Sequence, residues 1–220
     1  MYHLTNLLNE VRDKGYGVFK GGLSVLERDI DGSVRVIPNR RTSSPRIERL
    51  RPTPADKAQQ RSMSRVHGLG EQPLHTDGAH LETPPDVVLL SCPTRSEIPT
   101  RFARFVPPTL GSQPMGDLVH GLFIVDSGSD SFLAPILDFN REGHAVRYDP
   151  VCMTPGDPRA CRAMAAVKEC LPEVHEFEWN EPGLVLALDN RRYLHARADA
   201  SNEPERTLER LALRVERAPS

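Results

Sequence analysis

Seven apolar runs of six to eight residues, most of them bounded by Gly, Pro, Asp or Ser, dominate the chain after residue 85: "DVVLLSC", "TRFARFV", "LVHGLFIV", "HAVRYD", "VHEFEW", "GLVLALDN" and "RLALRV". Runs this short are strand-sized, and turn residues between them return the chain on itself. Upstream, "GYGVFKGG" reads as one more strand punctuated by glycine. Helical spacing occurs at Leu4, Leu7, Leu8 and Val11, and again at Cys161, Met164, Val167 and Leu171. The fold expected is therefore mainly β, a sandwich or double-stranded β-helix (jelly roll), with helices at the N-terminus and around residues 158–171.

Composition excludes several classes of function. With 28 basic and 30 acidic side chains in 220 residues, the net charge of −2 exerts no general pull toward nucleic acid or an anionic membrane. No stretch is apolar for long enough to span a bilayer, and "MYHLTNLLNEVRDKG" lacks the pattern of a secretory signal, so a cytoplasmic protein is expected. Cys92, Cys152, Cys161 and Cys170 show no C-x-x-C spacing and read as free thiols. The length suits one domain over residues 1–220. Between Pro38 and Gly70 four prolines and seven arginines break every period, which reads as a long, partly mobile loop with one helical turn at "PADKAQQ".

Chemistry concentrates in "LHTDGAH", residues 74–80. In an extended chain His75 and Asp77 project from one face and can converge on one cation while Thr76 points away. His-x-Asp is common by chance, and the pair alone does not establish a site. A second segment, "GLVLALDNRRYLHARADASNEPERTLERLALRV", supplies His195 after a strand and a tight turn. Two histidines and one carboxylate form the facial set of non-haem Fe(II) oxygenases, which leaves the opposite face of the ion open. Other attractive residues have plainer readings: His80 and Glu82 as an exposed strand edge, Asp189 and Asn190 as turn residues, and Trp179 as core.

These segments resemble the Fe(II)- and 2-oxoglutarate-dependent oxygenases of the taurine dioxygenase and clavaminate synthase type. The likeness rests on "LHTDGAH" with "PPDVVLLSC", on "GLVLALDNRRYLHAR" with "ERTLERLALRV", and on the opening "VRDKGYGVFKGG". It implies that His75, Asp77 and His195 hold Fe(II). It also implies that Arg206 takes the distal carboxylate of the cosubstrate 2-oxoglutarate with help from Thr100, and that dioxygen is the oxidant. A guanidinium suits the carboxylate because its rigid fork stays charged at any working pH.

If "RTLERLALRV" is extended, Arg206, Leu208, Arg210, Ala212 and Arg214 share a face, with Arg206 and Arg210 about 13 Å apart. The resemblance then implies that Arg210 faces the space where related enzymes hold an anionic group of the substrate, the plainer alternative being an ion pair with Glu205 or Glu209. The implied activity is oxidation, by default hydroxylation, of an unactivated C–H bond in a small, anionic or amino-acid-like molecule of specialised metabolism. Two other classes share these features: a cupin-like metal enzyme that does not use 2-oxoglutarate, and a non-catalytic jelly-roll binding module. Neither nucleic acid nor membrane is an expected partner.

Overall fold

The computed structural model describes residues 2–38, 46–60, 62–128, 130–140 and 143–216. The N-terminal helix α1 (His3–Lys14) buries Leu4, Leu7 and Val11, the stripe that its sequence spacing requires. Gly15 ends it at φ 89°, with its N–H on the Val11 carbonyl at 2.7 Å. A Cβ there would lie 2.2 Å from the Tyr193 ring, so both backbone and space demand glycine. There follow β1 (Tyr16–Lys20), α2 (Leu23–Arg28), β2 (Val34–Val36), β3 (Glu48–Leu50) and α3 (Met63–His67).

The last two elements correct the reading of residues 38–70 as a long loop with a single helical turn. Part of that stretch, residues 39–45 and 61, lies outside the described residues. The turn expected at "PADKAQQ" is present as a bond from Lys57 N–H to Pro54 O at 3.0 Å.

The chain continues through β4 (Val87–Cys92), β5 (Ser96–Arg104), α4 (Gln113–His120), β6 (Phe123–Asp126), β7 (Ser131–Ala134), β8 (Leu137–Asn140), β9 (Gly143–Val146) and β10 (Met153–Pro155). "LVHGLFIV" is thus not one strand. Leu118 to His120 close α4, whose first turn is capped by Ser112 Oγ accepting from Met115 N–H, and the strand begins only at Phe123. After α5 (Pro158–Ala166) and a 3-10 turn (Val167–Cys170) come β11 (Val174–Trp179), β12 (Leu184–Asp189), β13 (Tyr193–Arg197) and β14 (Leu208–Val215).

All the pairings are antiparallel. The largest sheet runs β1-β12-β4-β14-β2, with β3 also on β14; a second runs β11-β5-β13, and smaller ones are β10-β6-β7 and β8-β9. β4 is buried at every position, because both faces of the largest sheet are covered. On one face Val87, Leu89, Val185, Ala187, Leu211 and Leu213 pack against Leu4, Leu7, Val11, Leu23 and Leu26 of the helices. On the other, Val88, Leu90, Leu186 and Leu208 pack with Phe102, Trp179 and Tyr193 of the second sheet. The molecule is mostly β, and the alternation read in "RLALRV" sends Leu211 and Leu213 to one core and Ala212 to the other. Among the described residues no helix is long and apolar enough to cross a membrane.

Candidate active site

His75 and His195 meet through their backbones. Each N–H donates to the other's carbonyl at 3.0 Å, an isolated antiparallel bridge that sets the two residues directly opposite. Opposed residues send their side chains to the same face, and here the ring centroids are 4.7 Å apart. The 68–75 segment is held along β13 by further bonds. Gln72 N–H donates to Arg197 O at 3.0 Å, and Arg197 Nη2 donates to the carbonyls of Gly68 and Gly70 at 2.7 and 2.8 Å. Thr76 turns away as expected, its hydroxyl donating to Val146 O at 3.2 Å and accepting from Tyr148 N–H at 3.0 Å.

Asp77 follows on the same side as His75 and is 5% exposed. Its peptide is clamped by Asn190, whose side chain accepts from Asp77 N–H at 2.9 Å and donates to Asp77 O at 3.0 Å and to Pro85 O at 2.9 Å. Asn190 is therefore more than a turn residue. Asp189, by contrast, does local turn chemistry with Arg191 N–H and Arg192 Nε. His80 and Glu82 sit in the turn after Asp77 rather than on a strand.

One cavity of about 1040 Å³ is lined by all six residues singled out in the sequence: His75, Asp77, Thr100, His195, Arg206 and Arg210. Arg206 precedes β14 instead of lying on it, in a turn where its N–H bonds Glu203 O at 3.0 Å. It is 6% exposed, yet its Nε and Nη2 are buried with no hydrogen-bond partner among the described residues. Buried guanidinium donors without acceptors cost about 1–3 kcal/mol or more, a cost that an anion in the cavity would relieve. Burial lowers the Arg206 pKa despite the neighbouring Cys92.

Thr100 adds a second donor. Its hydroxyl accepts from the indole N–H of buried Trp179 at 3.2 Å, and since an indole only donates, the hydroxyl hydrogen is directed elsewhere.

Arg210 is satisfied, with Nη1 on Asp77 Oδ1 and Nη2 on Glu48 Oε2. The ion pairs anticipated with Glu205 and Glu209 are not the ones formed. Those carboxylates face Arg51 at 4.0 Å and Arg49 at 3.8 Å. Glu48, from the stretch read as loop, had no sequence signal, since its partner is 162 residues away.

The donor chemistry fits a divalent cation. His75 Nδ1 lies 3.0 Å from Pro73 O, and a carbonyl only accepts, so Nδ1 carries the proton and Nε2 offers its lone pair. His195 is pushed down to about 3, by burial first and then by His75 and Arg210, so it is a neutral imidazole at ordinary pH. Burial works against the Asp77 carboxylate, but Arg210 and the two histidines outweigh it and hold Asp77 below the usual carboxylate range. In this arrangement, among the described residues, no three His, Cys, Asp or Glu side chains stand close enough together to hold a metal ion, and Oδ1 of Asp77 is on Arg210.

No protein-family model matches the sequence. Solved structures do share the fold. The non-heme iron oxygenase OrfP, in complex with Fe and alpha-ketoglutaric acid, superposes with a TM-score of 0.68 at 18% identity, over 98% of this chain and 80% of that one. PvcB, an Fe, alpha-ketoglutarate dependent oxygenase from an isonitrile synthetic pathway, gives 0.66 at 20% identity, over 95% and 79%. An asparagine oxygenase in complex with Fe(II), hydroxyasparagine and succinate gives 0.58 at 18%, over 96% and 78%. The chain thus has the fold of Fe and alpha-ketoglutarate dependent oxygenases.

Proposed function

We propose that this chain is an Fe(II)- and 2-oxoglutarate-dependent dioxygenase, a single jelly-roll domain that hydroxylates a C–H bond of a small, amino-acid-like substrate. The observation that carries the reading is the cavity itself, which joins His75, Asp77 and His195 to a buried guanidinium with two nitrogens unpaired among the described residues. In this reading His75, Asp77 and His195 hold the iron, which supplies oxygen activation when bound. Arg206 binds the far carboxylate of 2-oxoglutarate, and the Thr100 hydroxyl donates to it.

Asn190 and the His75–His195 bridge fix the ligand backbones, so that only side chains, Asp77 turning from Arg210 among them, need move when the ion arrives. Leu90, Ala196 and Leu208 supply apolar wall to the same cavity. OrfP solved with (3S)-hydroxy-L-Arg and succinate, and the asparagine oxygenase with its hydroxylated product, support an amino-acid-like substrate. The lining, where Arg49, Arg51, Lys57, Arg197, Arg206 and Arg210 outnumber Glu48, Asp77 and Glu209, favours one that carries an anion, although Arg210 is already paired with Glu48 and Asp77.

The test is iron analysis and succinate formation. Protein purified anaerobically should take up close to one Fe(II) per chain, and succinate release should rise with one member of an amino-acid panel. Iron uptake without 2-oxoglutarate turnover under any substrate would replace this reading with a metal enzyme of another kind.

A further inference from the structure

We propose that Glu48 is a positioning residue for the metal site, acting through Arg210 on Asp77; this rests on the iron-binding role given to Asp77 above. β3 lies on β14 in a register that sets Glu48 directly across from Arg210. Cross-strand partners share a face, so the carboxylate of Glu48 and the guanidinium of Arg210 are brought together by backbone pairing alone. Arg210 then spans the gap between two carboxylates, one nitrogen on Glu48 and the other on Asp77. All three side chains are well covered, at 12%, 14% and 7% exposed, so their charges act on one another with little screening.

The arrangement divides the pull of one cation between two anions. Without Glu48, the whole charge of Arg210 would fall on Asp77, drawing its carboxylate away from the two imidazoles. It would also leave an uncompensated cation beside the ion. With Glu48 in place, the Glu48–Arg210–Asp77 group carries a net charge of −1, which favours a cation beside Asp77. The short strand β3, at the rim of the cavity, therefore sets the affinity of the ion at its floor. The same geometry occupies the fork of Arg210, so a substrate anion reaches this guanidinium only by displacing Glu48.

Co(II) provides the probe, because its visible spectrum reports ligand geometry and its uptake needs no turnover. Glu48→Gln should weaken Co(II) binding by about ten- to a hundredfold, the usual cost of losing a group that orients a ligand, and should alter the visible bands. Glu48→Asp keeps the charge one methylene short and should recover part of both. A Glu48→Gln variant that melts earlier without metal, yet binds Co(II) with wild-type affinity and spectrum, would make Glu48 a structural clamp and overturn the proposal. If Glu48→Gln does not fold, Glu48→Asp decides it: unchanged Co(II) affinity and bands in that variant also overturn the proposal. Failure of the wild-type chain to bind Co(II) at all would instead remove the metal-site reading on which this one stands.

Discussion

The two ends of the cavity carry the same side chain in opposite states. At one end Arg206 is buried with Nε and Nη2 bonded to nothing among the described residues; at the other, Arg210 is buried with a carboxylate on each terminal nitrogen. The pKa directions follow. Burial lowers Arg206, whereas in Arg210 the same penalty is outweighed by Asp77 and Glu48 and the value rises. Four residues apart in sequence, one arginine keeps two nitrogens without an acceptor among the described residues and the other is tied into the protein's own framework. A guanidinium in a pocket is thus informative only when its acceptors have been counted.

The contrast can be broken by substitution, and the largest effect should come from the ligands that lie between the two ends. Asp77→Ala and His195→Ala should each abolish iron-dependent turnover, measured as succinate release, while circular dichroism stays close to wild type. Normal turnover in either would remove that residue from the ligand set.

Next in size, Arg210→Met should destabilise the metal-free protein by about 3–5 kcal/mol in urea, because Glu48 and Asp77 are left buried without their cation. The companion Arg206→Met should move the other way and raise metal-free stability by about 1–3 kcal/mol, since it removes donors that have no acceptor. Equal effects on stability would erase the difference between the two ends.

For ligand binding the order reverses. Arg206→Ala should raise the 2-oxoglutarate requirement by about 2–5 kcal/mol, with Arg206→Lys recovering only part, because a point charge cannot reproduce the fork. The smallest expected effect is at Thr100. Thr100→Val should cost about 1–3 kcal/mol in stability, since the Trp179 N–H loses its acceptor, and should weaken 2-oxoglutarate modestly. A stability loss with unchanged cosubstrate affinity would leave Thr100 with a packing role alone.

The sequence carried much of this site, and the reason is local. His75 and Asp77 are two apart on an extended segment, and the strands β1, β4, β12 and β14 announce themselves by apolar runs that turn residues interrupt. His75, Asp77 and His195, read from these motifs, and Arg206, Thr100 and Arg210, to which the resemblance pointed, line the same cavity. What escaped was non-local. β3 is three residues long, too short to show a period, and it exists because β14 offers an edge. Glu48 gains its meaning from Arg210, and Asn190 from the peptide of Asp77, 113 residues away. The end of helix α4 hid inside the run "LVHGLFIV" because Leu118 serves a helix face as well as it would a strand. Arg206 was placed on the strand when it stands in the turn before it, where its side chain is freed from ladder geometry and can enter the cavity.

The most direct measurement is the visible spectrum of the anaerobic Fe(II) protein as 2-oxoglutarate is added. If the iron and the cosubstrate share this cavity, a weak metal-to-ligand band should grow and saturate near one 2-oxoglutarate per chain, and Arg206→Ala should need far more cosubstrate to reach it. Fe(II) bound at one per chain with no band at saturating 2-oxoglutarate, or a band that Arg206→Ala leaves untouched, would contradict the assignment.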